Sequence, residues 1–203
     1  MHTPSSTPFV DAALITRMHD EATALWHTTL PDLAPDPASL LHQVRAHHRA
    51  NYDLWHQEDE ARNPSATDSI IATVKHAIDR LNQLRNDTVE QMDVRLLAEA
   101  SPQNEDAPLH SETPGLIIDR LSILALKQYH TAEESQRPSA TEQHRLRNLA
   151  RLHVIRQQRN DLALCLDQLW NDIRSGRRRF KLYRQMKMYN DPDLNPVLYR
   201  NPR

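Results

Sequence analysis

The chain reads as an all-α protein: a bundle of five main helices followed by an irregular tyrosine-rich tail. Three observations predict this. Its 203 residues include 2 glycines against 13 prolines, whereas a sheet protein of this size needs glycine for its turns. The prolines fall between long segments in which apolar residues recur at three- and four-residue spacing. A hydrophobic content of 38% and a mean hydropathy of -0.73 add a lean core beneath much polar surface.

After a Pro/Ser/Thr arm, the first helix is expected from Phe9 to about Leu30, periodic through Ala13, Leu14, Met18, Leu25 and Trp26 and ended by Pro31, Pro35 and Pro37. The second runs from about Ala38 to Ala61, where Asn63-Pro64-Ser65 breaks it. The third starts near Thr67 or Asp68, which can cap it, and continues to about Ala100. An acidic, proline-containing stretch over about 101–111 reads as a flexible linker. The fourth helix follows Thr113-Pro114-Gly115 and ends near Glu134, before Arg137-Pro138-Ser139. The fifth extends from about Thr141 through Ile173 toward Gly176. From about residue 180 onward the tail carries three of the five tyrosines, and Pro192, Pro196 and Pro202 forbid a long helix there. Such aromatic residues are expected to pack back onto the bundle. Residues 1–203 are thus expected to form one helical domain.

A formal charge of -2 and a pI near 6.6 give no general drive toward nucleic acid or anionic lipid. No run approaches the ~20 apolar residues that span a bilayer, and the start lacks a signal-peptide pattern, so the cytoplasm is the expected compartment. Cys165 is the single cysteine; its neighbours Leu162, Leu164 and Leu166 predict a buried, apolar thiol. Helical faces of this kind also permit a homo-oligomer.

Helix three carries a polar stripe. At about 100° per residue, Asp68, Lys75, Asp79, Asn82, Asn86 and Asp93 lie near one line, beside an apolar band of Ile70, Val74, Ile78, Leu81, Val89 and Met92. Its text recurs in helix five: LNQLRNDTVEQMD (Leu81 to Asp93) is echoed by IRQQRNDLALCLD (Ile155 to Asp167). The repetition predicts pseudo-equivalent helices whose stripes face a common cleft with helices two and four.

Four ordered blocks, ANYDLWHQEDEAR (Ala50 to Arg62), IDRLNQLRNDTVEQMD (Ile78 to Asp93), ETPGLIIDRLSILALK (Glu112 to Lys127) and YRQMKMYNDPDLNP (Tyr183 to Pro196), resemble the bacterial family known as domain of unknown function 4254. The resemblance covers about Leu25 to the C-terminus. It implies a soluble bacterial protein encoded near glycosyltransferase genes for surface polysaccharide, and it implies no particular reaction.

Candidate ligand-binding residues follow block by block. Helix two offers Asn51, Glu58 and Arg62, with Trp55 turning the stripe inward; helix three offers Lys75, Asp79, Asn82 and Asn86. Helix four places Asp119, Arg120 and Lys127 inside an apolar run, where charge needs partners or a cavity. Helix five adds Arg156 and Asn160. A magnesium site is the alternative: helical nucleotide pyrophosphohydrolases converge acidic pairs on hard cations, and here Glu90 and Asp93 form an ExxD pair while Glu58-Asp59 lies on the preceding helix. The 12 histidines include no HxxxH or HExxH, so no histidine metal site is expected. The basic run Arg174, Arg177, Arg178, Arg179, Lys181 and Arg184 reads as a solvated helix end. The leading reading is a cytoplasmic protein that binds a polar or phosphorylated small molecule. A magnesium-dependent hydrolase of a nucleotide or sugar phosphate stands second, and an interaction module without ligand third.

Overall fold

The computed structural model describes residues 9–28, 36–184, 186 and 192–199. Among them the order is α1 (Ala12–Trp26), α2 (Leu40–Glu60), α3 (Asp68–Ala100), α4 (Pro114–Gln136), α5 (Glu142–Arg174) and a single turn, α6 (Pro196–Tyr199). No strand occurs among the described residues, so the all-α bundle of five main helices holds. Each long helix begins at a side-chain cap: Asp11, Ser39, Thr67, Thr113 and Thr141 each accept the backbone N–H three residues on. A cap of this kind contributes about 1 kcal/mol. At helix three the hydroxyl of Thr67 takes the role rather than Asp68.

Helix α2 packs along α3 and α4 along α5, while α1 touches α2, α4 and α5. The core joins Ile15 of α1, Val44 of α2, Met92 and Leu96 of α3, Ile118 and Leu121 of α4, and Leu166 and Trp170 of α5. Cys165 corrects the expectation from its leucine neighbours. It is exposed, because consecutive apolar residues of α5 point around the helix: Leu166 faces the core while Leu164 is 68% exposed.

Residues 101–111, expected as a linker, carry hydrogen bonds to the end of α5. Arg179 N–H donates to the Pro108 carbonyl and His110 N–H to the Arg179 carbonyl. The Gln103 side chain holds both backbone groups of Phe180, whose ring is buried. Three members of the basic run are locally occupied: Arg174 reaches Glu99, Arg177 pairs with Asp172, and Arg179 donates to the Ala107 carbonyl. Of the tyrosine-rich tail, residues 185, 187–191 and 200–203 lie outside the described residues. Tyr183 is 45% exposed.

Both glycines have a local cause. Gly176 ends α5 at φ +71°, the left-handed region that L side chains avoid. Gly115 opens α4 where the Asp93 carboxylate approaches, and a Cβ there would lie 2.5 Å from Asp93 Oδ1.

Candidate functional site

The α2–α3–α4 contact encloses a polar network centred on Asp119. Arg85 of α3 clasps its carboxylate with two nitrogens, Nε to Oδ1 at 2.7 Å and Nη2 to Oδ2. His47 Nε2 donates to Oδ1 at 2.9 Å and Asn51 Nδ2 at 3.1 Å. Burial raises the Asp119 carboxyl, yet the hydrogen bonds from Arg85 and His47 outweigh it and hold the group well below the usual carboxylate range. Asn51 also donates to Ser122 Oγ at 2.9 Å.

The network continues through two adjacent histidines into α1. His48 Nε2 faces the His19 carbonyl at 3.1 Å and Thr23 Oγ1 at 2.8 Å. A carbonyl only accepts, so Nε2 carries the proton and Nδ1 accepts from the Ser122 hydroxyl at 2.7 Å. Burial, with His47 close by, pushes His48 down to about 3; burial and His48 likewise lower His19. The rings are neutral. Ser122 and His48 form a serine–histidine contact, but both are fully buried, which shuts substrate out and makes the chain a core network.

Above it opens a cavity of about 340 Å³ lined by Asn51, Leu54, Trp55, Glu58, Asp59, Arg62, Arg85, Ile123 and Leu126. Arg85 spans the two: its guanidinium is locked below by Asp119 and forms part of the wall. Of the residues singled out in the sequence, this place gathers Asn51, Glu58, Asp59 and Arg62, with Asp119 directly beneath Arg85. The others lie elsewhere. Lys75 and Asp79 form an exposed pair at 2.6 Å, and Asn82 and Asn86 are half-buried along α3. Arg120 is exposed and pairs with Glu112; with Lys127 it borders a separate groove against α5. Arg156 and Asn160 face outward on α5.

The four carboxylates read as a magnesium set do not come together. Glu58 and Asp59 line the cavity, Glu90 borders a shallow groove with Gln43 and Arg95, and Asp93 turns to the start of α4. There Asp93 accepts from Gly115 N–H at 2.8 Å and from the Thr113 hydroxyl. Burial pushes its pKa up to about 6 against those two hydrogen bonds.

The repeated text proves to be a repeated fastening. Asp167 of α5 accepts from Ala12 N–H, the first residue of α1, as Asp93 of α3 accepts from the start of α4. Arg159, at the place of Arg85, donates to Asp20 and the Thr16 carbonyl of α1. The echoed segments therefore grip different helices, α4 and α1, and their stripes share no common cleft. Arg85 itself was legible only through this echo.

A second constellation has no sequence signature. His27 at the end of α1, His56 of α2 and His130 of α4 place one ring nitrogen each within 4.8 Å of one another. They come from three helices, so no spacing motif announces them. Trp55 joins the two places: it lines the cavity and stacks on His130, centroids 5.0 Å apart at 10°.

A family model described as "Protein of unknown function (DUF4254)" matches residues 41–182, well over half of the chain. The chain belongs to the DUF4254 family. The matched residues hold the whole of α2 to α5 but for Leu40 and three of the four blocks quoted above; the block from Tyr183 lies beyond them. No curated protein and no solved structure matches the chain. Among the described residues, no helix is long and apolar enough to cross a membrane.

Proposed function

We propose that this DUF4254 protein is a cytoplasmic bacterial binding protein that holds a polar, ring-bearing ligand of the sugar-phosphate class in the α2–α3–α4 cavity. The observation that carries the reading is Arg85, a guanidinium fixed in the cavity wall by a buried carboxylate. An arginine held in advance loses little freedom when it meets an anion. Its Nη1 takes no part in the Asp119 clasp. Around it, Trp55, Leu54, Ile123 and Leu126 supply an apolar wall for a ring, while Glu58, Asp59 and Arg62 supply acceptors and donors for hydroxyl groups. The volume of about 340 Å³ falls within the range of small-molecule pockets, roughly 300–1,000 Å³. A place in a surface-polysaccharide pathway rests on the family resemblance alone. Binding is preferred to magnesium-dependent hydrolysis because Glu58, Asp59, Glu90 and Asp93 occupy separate places.

Thermal unfolding of chelator-treated protein against sugar phosphates, nucleotide sugars and inorganic phosphate tests the reading. A ligand at 100 times its Kd adds about 2.7 kcal/mol, and Trp55→Ala and Arg85→Gln should weaken the response at least about tenfold, or 1.4 kcal/mol. A ligand whose affinity both variants leave unchanged binds elsewhere, and no response to any of the three classes rejects the proposal.

A further inference from the structure

We infer that His27, His56 and His130 form a three-histidine site for a transition-metal dication, with zinc as the metal. The site stands independently of any ligand in the cavity beside it. The tautomers carry the argument. His27 Nδ1 lies 2.7 Å from the Thr23 carbonyl and His56 Nδ1 2.8 Å from the Tyr52 carbonyl. A carbonyl accepts only, so both Nδ1 atoms bear the proton. His130 Nδ1 lies 2.9 Å from Glu133 Oε2, a carboxylate, with the same result. All three rings therefore keep the lone pair on Nε2, the form that ligates a metal, and each has its outer nitrogen oriented by a carbonyl or a carboxylate.

Two of the three free edges are left without partners. His27 Nε2 and His130 Nε2 are buried and have no hydrogen-bond partner among the described residues, a cost that a ligated cation removes. The rings are mutually tilted, with centroids 5.3 to 5.7 Å apart and planes crossing at 51° to 72°, so they meet by their edges and not as a stack. Nitrogen atoms within 4.8 Å need to close to about 3.3 Å for tetrahedral zinc with bonds of 2.0–2.1 Å, a movement within the reach of side-chain torsions. Tyr129, stacked on His27 at 4.4 Å, and Trp55, stacked on His130, hold two of the rings in place. Three histidines on a tetrahedral ion leave a fourth position for water or an external ligand.

Full-length protein without an affinity tag, stripped by chelator, is titrated with zinc by calorimetry, and the cobalt-substituted protein is read by visible absorption. The expected result is one zinc per chain, a tetrahedral cobalt spectrum with nitrogen ligands, and a rise in Tm reversed by chelator. His56→Gln and His130→Gln should each lose at least about 100-fold in affinity. Glu133→Gln, which only orients His130, should lose about 10- to 100-fold. The exposed His153→Gln should bind as the wild type does. An octahedral or absent cobalt spectrum in the wild-type protein overturns the proposal whether or not the variants fold, and so does zinc binding that survives His130→Gln.

Discussion

Two buried carboxylates, Asp93 and Asp119, both work on α4, and they are driven in opposite directions. Their exposures are alike, 2% and 6%. Each accepts several hydrogen bonds, yet burial raises Asp93 to about 6, whereas Asp119 is held well below the ordinary range. The difference lies in the charge of the donors. Asp119 faces a guanidinium; Asp93 faces a hydroxyl and a peptide N–H. Neutral donors offset part of the desolvation, and a formal cation reverses it. A buried acid near a cavity is thus no indication of a metal site until its donors are known.

The largest effect expected from this comparison follows removal of the acid that balances a cation. Asp119→Ala strands Arg85 against the core and should cost about 3–5 kcal/mol, the usual loss when one member of a buried pair is deleted. Urea unfolding of the variant checks it. Pairing Asp119→Leu with Arg85→Met should recover most of the loss, since apolar replacement of both partners is often neutral. If the single variant costs under about 1 kcal/mol, the two carboxylates do not differ as described.

Next in size is the pH dependence of Asp93. Its folded pKa is raised, so the folded state binds more protons than the unfolded one between about pH 4 and 6. The contribution of this group is fully present below about pH 4 and is lost as pH rises through 6, a change of about 3 kcal/mol for two units at 1.36 each. His19 and His48 act in the opposite sense, their lowered values making the fold less stable as pH falls below 6.5. The measurement is therefore the difference between wild type and Asp93→Asn. The variant should gain on the wild type from pH 4 to pH 7, and a difference flat across that range refutes the raised value.

How much of this was legible in the sequence depends on whether the cause was local. Caps, proline stops and 3.6-residue periodicity act within a few residues, and the five helices follow from them. Asn51, Glu58 and Arg62 share one face of α2 and were read as a group for the same reason. Asp119 was flagged because a charge inside LIIDRLSILAL needs a partner, but the partner is Arg85, 34 positions earlier, and periodicity carries no information at that distance. His27, His56 and His130 meet only through tertiary packing. The stripe of α3 misled because one line on a helix passes from solvent at Lys75 to the core at Asp93. Cys165 misled because an apolar run on a helix has an outer side.

The smallest expected effect concerns the place where Asp93 meets backbone. Gly115→Ala would normally stabilise a helix, by about 1 kcal/mol from propensity. Here the added Cβ would lie 2.5 Å from Asp93 Oδ1 and 2.8 Å from its Cγ, so the carboxylate must withdraw from the Gly115 N–H and the Thr113 hydroxyl. The net change should be a loss of about 1–3 kcal/mol, typical of overpacking. In an Asp93→Ala background neither the clash nor the bond exists, and the same substitution should turn neutral or stabilising. Chemical unfolding of the four proteins in this cycle gives the coupling directly. A coupling near zero would mean that the glycine serves the start of α4 alone. A change of sign between the two backgrounds would show that Gly115 is there to admit the carboxylate, and that Asp93 is a fastening of α4, the counterpart of Asp167 on α1.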